Sequence, residues 1–208
     1  MENTKLPKPT KVYLLSLVER NSLDTWINEE LRKGYIHPST SPIAAPFFFV
    51  KKHDRSLWPI IDYKALNTIT IKNCYPIPRI TNLIESLSKV SIFTKIDLRW
   101  EYNNVHIREE DEWKTAFITR WGLFETTVMY FGFSNAPAIF QSIMNNILGD
   151  LICIRLVMVY LDDILIFGTC LKEHRQLVKE VLKKLQFNDL YAKAEKCFFD
   201  KVVSNIWA

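Results

Sequence analysis

Residues 159–167 read VYLDDILIF, two adjacent acids, Asp162 and Asp163, set between two apolar runs. The apolar neighbours describe a core, and a core penalises charge. Burying even one unpaired carboxylate is strongly unfavourable, so two side by side need a compensating partner. Solvent at a tight turn is one such partner, and a metal ion is the other. Aspartate favours turns and tolerates unusual backbone angles, so residue type alone leaves both open. The runs VMVY and ILIF have the length and composition of strands, which places Leu161-Asp162-Asp163 at the tip of a buried hairpin.

The segments around this hairpin extend the pattern. SIFTKID (91–97) reads as a strand that ends on Asp97. NAPAIFQSIMNNIL (135–148) has apolar residues at helical spacing, with Pro137 in the first turn, where proline is tolerated. Residues 171–187 form a basic amphipathic helix, and AKAEKCFF suggests a last strand. The order strand, helix, hairpin, helix, strand suits a split βαβ sheet in an α+β protein. If the strand ending in Asp97 lies beside the hairpin, three carboxylates meet at one sheet edge. They repel one another unless a cation intervenes, and hard oxygen ligands select Mg²⁺ or Mn²⁺. Two such ions, about 3.5–4 Å apart, can clamp an in-line phosphoryl displacement. The residues alone carry the argument this far, to a two-metal site in competition with a structural turn.

The first half of the chain reads as mixed structure. SLDTWINEELRKG (22–34) is an amphipathic helix that Ser22 or Asp24 can cap and Gly34 can end. APFFFVKK and SLWPIIDY make a hairpin around HDRS, with Arg55 where a glycine would suit the turn. Residues 79–89 look helical, and residues 115–119 and 123–129 read as a strand pair joined near Gly122. With no repeat or low-complexity linker, residues 1–208 read as one continuous unit.

Composition excludes more than it selects. Hydrophobic content of 48% with 24% charged residues argues against wholesale disorder. A net charge of +4 is compatible with a polyanionic partner without requiring one. Cys74, Cys153, Cys170 and Cys197 form no CxxC pair, which favours reduced thiols over zinc or a disulfide framework. His37, His53, His106 and His174 show no shared ligand pattern and read as surface residues. No apolar signal region or membrane-length run is visible, so a soluble, intracellular protein with no membrane partner is expected; compartment and oligomeric state stay open.

VYLDDILIF also resembles the YxDD box of reverse transcriptases, in particular the gypsy class of long-terminal-repeat retrotransposons. The resemblance runs from about Lys11 to Asp200 through GYIHPSTSPIAAPFFFVKK, IDYKALNTITIKNCYPIPRI, IFTKIDLRWEYNNVHI, DEWKTAF, FGFSNAPAIFQ, VYLDDILIF and LYAKAEKC, in family order. It implies the fingers and palm of a right-hand polymerase with a ferredoxin-like palm sheet. The fingers would take about 22–90 and 112–130, and the palm about 91–111 and 131–208. It implies an RNA-directed DNA polymerase that transfers nucleotides from dNTP to a primer 3′-OH on an RNA or DNA template, using two Mg²⁺ or Mn²⁺ ions. Asp97, Asp162 and Asp163 would be the catalytic, metal-binding triad. Tyr102 falls where the family places the ring that excludes a ribose 2′-OH. Phe131 and Gly132 match the turn beneath the incoming nucleotide, and Lys52, with Lys51, could meet phosphates. The structural alternatives are a packed tyrosine at 102, a plain aromatic-Gly turn at 131–132, and two exposed lysines on a β-edge, the last an equally good account of Lys51 and Lys52.

Departures from the family pattern fall at sensitive places. Trp58 stands where an arginine usually holds the triphosphate, and an indole offers one N–H and no charge. Glu101 stands where alanine or glycine is usual, Arg55 and Glu110 where glycine is, and Leu14 and Leu17 where proline is. Arg→Trp, Pro→Leu, Gly→Arg and Gly→Glu are each reachable by a single C-to-T or G-to-A transition, so the expectation is a decaying element copy, which codons further than one transition from the family residue would contradict. The chain also stops soon after AEKCFFD, where the family continues into a primer grip, thumb, connection and RNase H. The expectation is an impaired polymerase fragment; the alternative is a degenerate or co-opted fragment without enzymatic activity. An unrelated α+β protein with an Asp pair in a turn would leave Asp97 far from Asp162.

Overall fold

The computed structural model describes residues 12–52, 55–79, 90–99 and 102–202. His53, Glu101 and nearly all of the helix expected over 79–89 lie outside them. Among the described residues the helices are α1 (Leu17–Lys33), α2 (Lys64–Ile69), α3 (Glu109–Glu112), α4 (Ala136–Ile147), α5 (Gly149–Cys153) and α6 (Leu171–Phe187). The strands are β1 (Ile36–Pro38), β2 (Ala45–Lys51), β3 (Leu57–Ile61), β4 (Ile92–Asp97), β5 (Phe117–Thr119), β6 (Gly122–Thr126), β7 (Val157–Tyr160), β8 (Asp163–Gly168) and β9 (Phe198–Val202). They fall into two compact units, one within 1–72 and 105–136, the other within 73–104 and 137–208.

The first unit is built on a sheet of order β1-β6-β5-β2-β3. Its core joins Leu23 and Ile27 of α1 to Ile36, Phe47, Ile61, Tyr63, Phe117 and Phe124. Each such side chain contributes about 1.5–3 kcal/mol on leaving water. The expected hairpin is β2–β3, paired from Phe47 opposite Ile61 to Lys51 opposite Leu57. Arg55 sits in its connection at φ 65°, the left-handed region that favours glycine.

Helix α1 begins earlier than Ser22 or Asp24. Ser16 caps it through a capping box: its side chain accepts from the Glu19 N–H, and Glu19 accepts from the Ser16 N–H at 2.8 Å. Leu17 and Val18 are exposed, so the first turn shows no amphipathic signal. Asp24 instead accepts from Arg120 at 2.5 Å and from the Trp121 indole at 2.6 Å. The helix ends where expected, at Gly34 with φ 73°.

The second unit carries the expected split βαβ sheet, with spatial order β7-β8-β4-β9. Helix α6 buries His174, Val178, Val181 and Leu185, one face at helical spacing. His174 is therefore not a surface residue; it is 1% exposed, and its Nε2 lies 2.7 Å from the Thr94 hydroxyl on β4. Position on the buried stripe, which outweighs residue type, puts it there.

Candidate metal centre

The register of the sheet builds this site. β4 pairs antiparallel with β8 so that Asp97, its last residue, faces Asp163, the first residue of β8. β7 closes the hairpin with Tyr160 opposite Asp163, which leaves Leu161 and Asp162 in the turn. The Leu98 N–H then donates to the Asp162 carbonyl at 3.0 Å, tying the strand end to the turn. One ligand oxygen from each of Asp97, Asp162 and Asp163 lies within 4.8 Å of the others. The competing picture, with Asp97 far from the turn, is excluded.

The turn is held from below by a residue that sequence reasoning did not single out. Gln141 of α4 is fully buried, and its Oε1 accepts from the Leu161 N–H at 3.0 Å. Its amide donates to the Val159 carbonyl at 3.1 Å and to Asn145 Oδ1 at 2.9 Å. Leu161 has φ 56°, a conformation a leucine adopts at a cost of about 1–2 kcal/mol. The hydrogen bond from Gln141 helps to hold it there. A polar residue on the apolar face of an otherwise amphipathic helix was the available signal.

Charge decides what the site can hold. Lys95, two residues before Asp97 and so on the same face of β4, places its ammonium 2.8 Å from Asp163 Oδ2. Asp97 is 6% exposed, and its Oδ1 is buried without a hydrogen-bond partner among the described residues. Lys193 and Lys196 stand 3.5 and 3.9 Å from its oxygens, at ion-pair rather than hydrogen-bond range. Burial pushes the Asp162 carboxyl above its ordinary range, and the charges of Asp163 and Asp97 push in the same direction. A buried oxygen without a hydrogen bond, beside a carboxylate that resists ionisation, is an arrangement a divalent cation relieves. The donor set, all carboxylate oxygen, fits Mg²⁺ or Mn²⁺.

The other residues singled out in the sequence are distributed between the two units. Tyr102 lies in the second unit, buried, with its ring edge-on to Phe140 at 6.0 Å. Lys52, Trp58, Phe131 and Gly132 lie in the first. Lys52 Nζ stands 3.5 Å over the Trp58 ring, and Trp58 meets Phe131 edge-to-face at 5.8 Å. Gly132 has φ 109°, and a Cβ there would approach the Ile61 carbonyl to 3.0 Å, so only glycine fits.

Comparison with known proteins gives a consistent picture. The family described as Reverse transcriptase (RNA-dependent DNA polymerase) matches residues 50–203. The retrovirus-related Pol polyprotein from transposon 297 of Drosophila melanogaster is 40% identical over 204 residues, 96% of this chain and 19% of that protein. The Tf2-3 transposon polyprotein of Schizosaccharomyces pombe is 39% identical over 198 residues, 95% of this chain and 15% of that protein. The chain thus spans less than a fifth of the length of these relatives. Among solved structures, a foamy viral protease-reverse transcriptase in complex with double-stranded DNA superposes with a TM-score of 0.87 at 24% identity, covering 95% of this chain and 34% of that one. The foamy viral enzyme in complex with an RNA/DNA hybrid gives 0.82 at 24% identity, covering 94% of this chain and 26% of that one. At this identity the likeness shows the fold.

Proposed function

The chain belongs to the reverse transcriptase family, and from that premise we propose that it is the polymerase part of a gypsy-class long-terminal-repeat retrotransposon polyprotein. Its reaction is RNA-directed DNA synthesis, in which a primer 3′-OH attacks the α-phosphorus of a dNTP on an RNA or DNA template and pyrophosphate leaves. One observation carries the reading: Asp97, Asp162 and Asp163 present ligand oxygens within 4.8 Å of one another, with a buried Asp97 oxygen that accepts no hydrogen bond among the described residues. The first compact unit corresponds to fingers and the second to palm.

Asp97 and Asp162 are the residues that would hold two Mg²⁺ or Mn²⁺ ions, with Asp163 beside them. When bound, such ions neutralise charge on the attacking and leaving oxygens of an in-line displacement. The protein's own part is alignment. Gln141 fixes the turn that carries Asp162, and Lys95 holds Asp163 in one orientation through its ion pair. Tyr102 is the residue proposed to exclude a ribose 2′-OH. Phe131 and Gly132 are proposed to support the incoming nucleotide, and Lys52 to meet its phosphates.

Triphosphate binding in this copy is weakened. Trp58 cannot supply the bidentate, charged contact of an arginine, and its ring engages the Lys52 ammonium at 3.5 Å. Primer extension by the chain on an RNA template, with Mg²⁺ or Mn²⁺ and rising dNTP, tests the proposal. Incorporation that requires high dNTP and disappears in Asp97→Asn supports it. Failure of the wild type to incorporate at any dNTP concentration would instead favour a non-enzymatic fragment.

A further inference from the structure

A second group of metal-ligating side chains lies in the other compact unit. His37 of β1 faces Glu125 of β6 across the strand pair, and Glu112 ends α3 beside them. His37 Nε2 lies 3.0 Å from Glu112 Oε2 and 3.5 Å from Glu125 Oε1, and all three residues offer ligand atoms within 4.8 Å of one another. The histidine was expected to share no ligand pattern; the sheet register supplies one.

The surroundings of these residues are those of a ligand set. His37 Nδ1 lies 3.1 Å from the Pro38 carbonyl, which accepts only from a protonated nitrogen. That contact fixes the ring with its Nε2 toward the two carboxylates, as outer-shell carbonyls do for metal-bound histidines. The Ser39 hydroxyl donates to Glu125 Oε2 and turns Oε1 toward the ring. Charge then supplies the decisive argument. Each glutamate side chain is only 14% exposed, and among the described residues neither forms an ion pair with any lysine or arginine. Two carboxylates against one imidazole leave the trio with excess negative charge whether the ring is neutral or protonated. Charge held away from water in this way calls for a cation.

We propose that His37, Glu112 and Glu125 form a divalent-cation site separate from the aspartate cluster, taking Zn²⁺ through one imidazole nitrogen and two carboxylate oxygens. A mixed nitrogen and oxygen set suits Zn²⁺ better than Mg²⁺, which prefers oxygen and water. Zn–N and Zn–O bonds of about 2.0–2.2 Å put tetrahedral ligands roughly 3.3–3.5 Å apart, close to the 3.0 and 3.5 Å between His37 and the two glutamates. His37 is 41% exposed, so a water can complete the coordination. The ion ties β1, β6 and α3 together and acts as a staple within this unit.

Zn²⁺ titration of the full chain against a chromophoric chelator tests the proposal. One tight Zn²⁺ per chain is expected ahead of any weaker uptake by the aspartate cluster, with the affinity of this ion reduced at least tenfold in His37→Gln and in Glu125→Gln but retained in Asp97→Asn. X-ray absorption on the wild type with one equivalent of Zn²⁺ should show one imidazole and otherwise oxygen ligands; it needs no variant to fold. Uptake unchanged in a folded His37→Gln, a sulfur ligand from the exposed cysteines, or no uptake with Zn²⁺ in excess over the chain overturns it.

Discussion

Replacing Gln141 with leucine keeps the bulk of a buried side chain and removes its polar end. The Leu161 N–H loses its acceptor at 3.0 Å and the Val159 carbonyl a donor at 3.1 Å, both beneath the acid-bearing turn. A buried polar group left unsatisfied costs about 1–3 kcal/mol. Val159 faces Ile164 at a position where its carbonyl points away from β8, so both groups lose their partner; the apolar side chain gained offsets part of this, and the net cost comes to about 2–4 kcal/mol. In a chain of this size each kcal/mol moves the melting midpoint by about 2–4 °C, so Gln141→Leu should melt about 4–16 °C below the wild type. Gln141→Glu keeps an acceptor for Leu161, loses the donor and adds a carboxylate near three others; it should fall at least as far. Circular dichroism melts at neutral pH provide the comparison. A midpoint within about 1 °C of the wild type for Gln141→Leu would refute the claim that this side chain holds the turn.

Other perturbations give further tests. Arg55→Gly removes a side chain from the left-handed region at φ 65° and should stabilise by about 0.5–1 kcal/mol after the entropy of glycine is counted, visible as a higher urea midpoint. Burial holds the His174 imidazole below its usual value of 6.5, so the folded state resists a proton that the unfolded state accepts. Stability is therefore retained above about pH 6.5 and lost as pH falls below it, by up to about 1.4 kcal/mol per pH unit. Between pH 7.5 and 5.5 the wild type should lose more stability than His174→Gln, and equal losses would contradict this assignment. Trp58→Arg restores a charged fork and releases Lys52; the dNTP concentration for half-maximal primer extension should drop about tenfold or more, the order expected for a charged, bidentate contact.

Much of the second unit was legible because local patterns sufficed. Alternating apolar residues and a two-acid turn define β7 and β8, and the strand ending at Asp97 can pair only where its apolar face is buried. That pairing alone brings the three carboxylates together. Tertiary context decided the rest. Ser16 was missed as a cap because the turn it starts is exposed on all sides, so periodicity gave no signal. His174 sits on the buried stripe of α6 and satisfies one nitrogen with Thr94, a partner 80 positions away. His37 meets Glu125 because β1 pairs with β6, and Glu112, 75 positions from His37, reaches them from the end of α3. Gln141 was inside a quoted motif, yet its role depends on a turn contributed by another element.

Manganese binding measured by electron paramagnetic resonance addresses the central claim most directly, since free Mn²⁺ gives the signal and bound Mn²⁺ loses it. Titrating Mn²⁺ into the wild type should show saturable loss of free signal that weakens at least tenfold in Asp97→Asn and in Asp162→Asn, while His37→Gln leaves this component intact. The same binding curve for wild type, Asp97→Asn and Asp162→Asn would contradict a shared divalent-cation site at the end of β4.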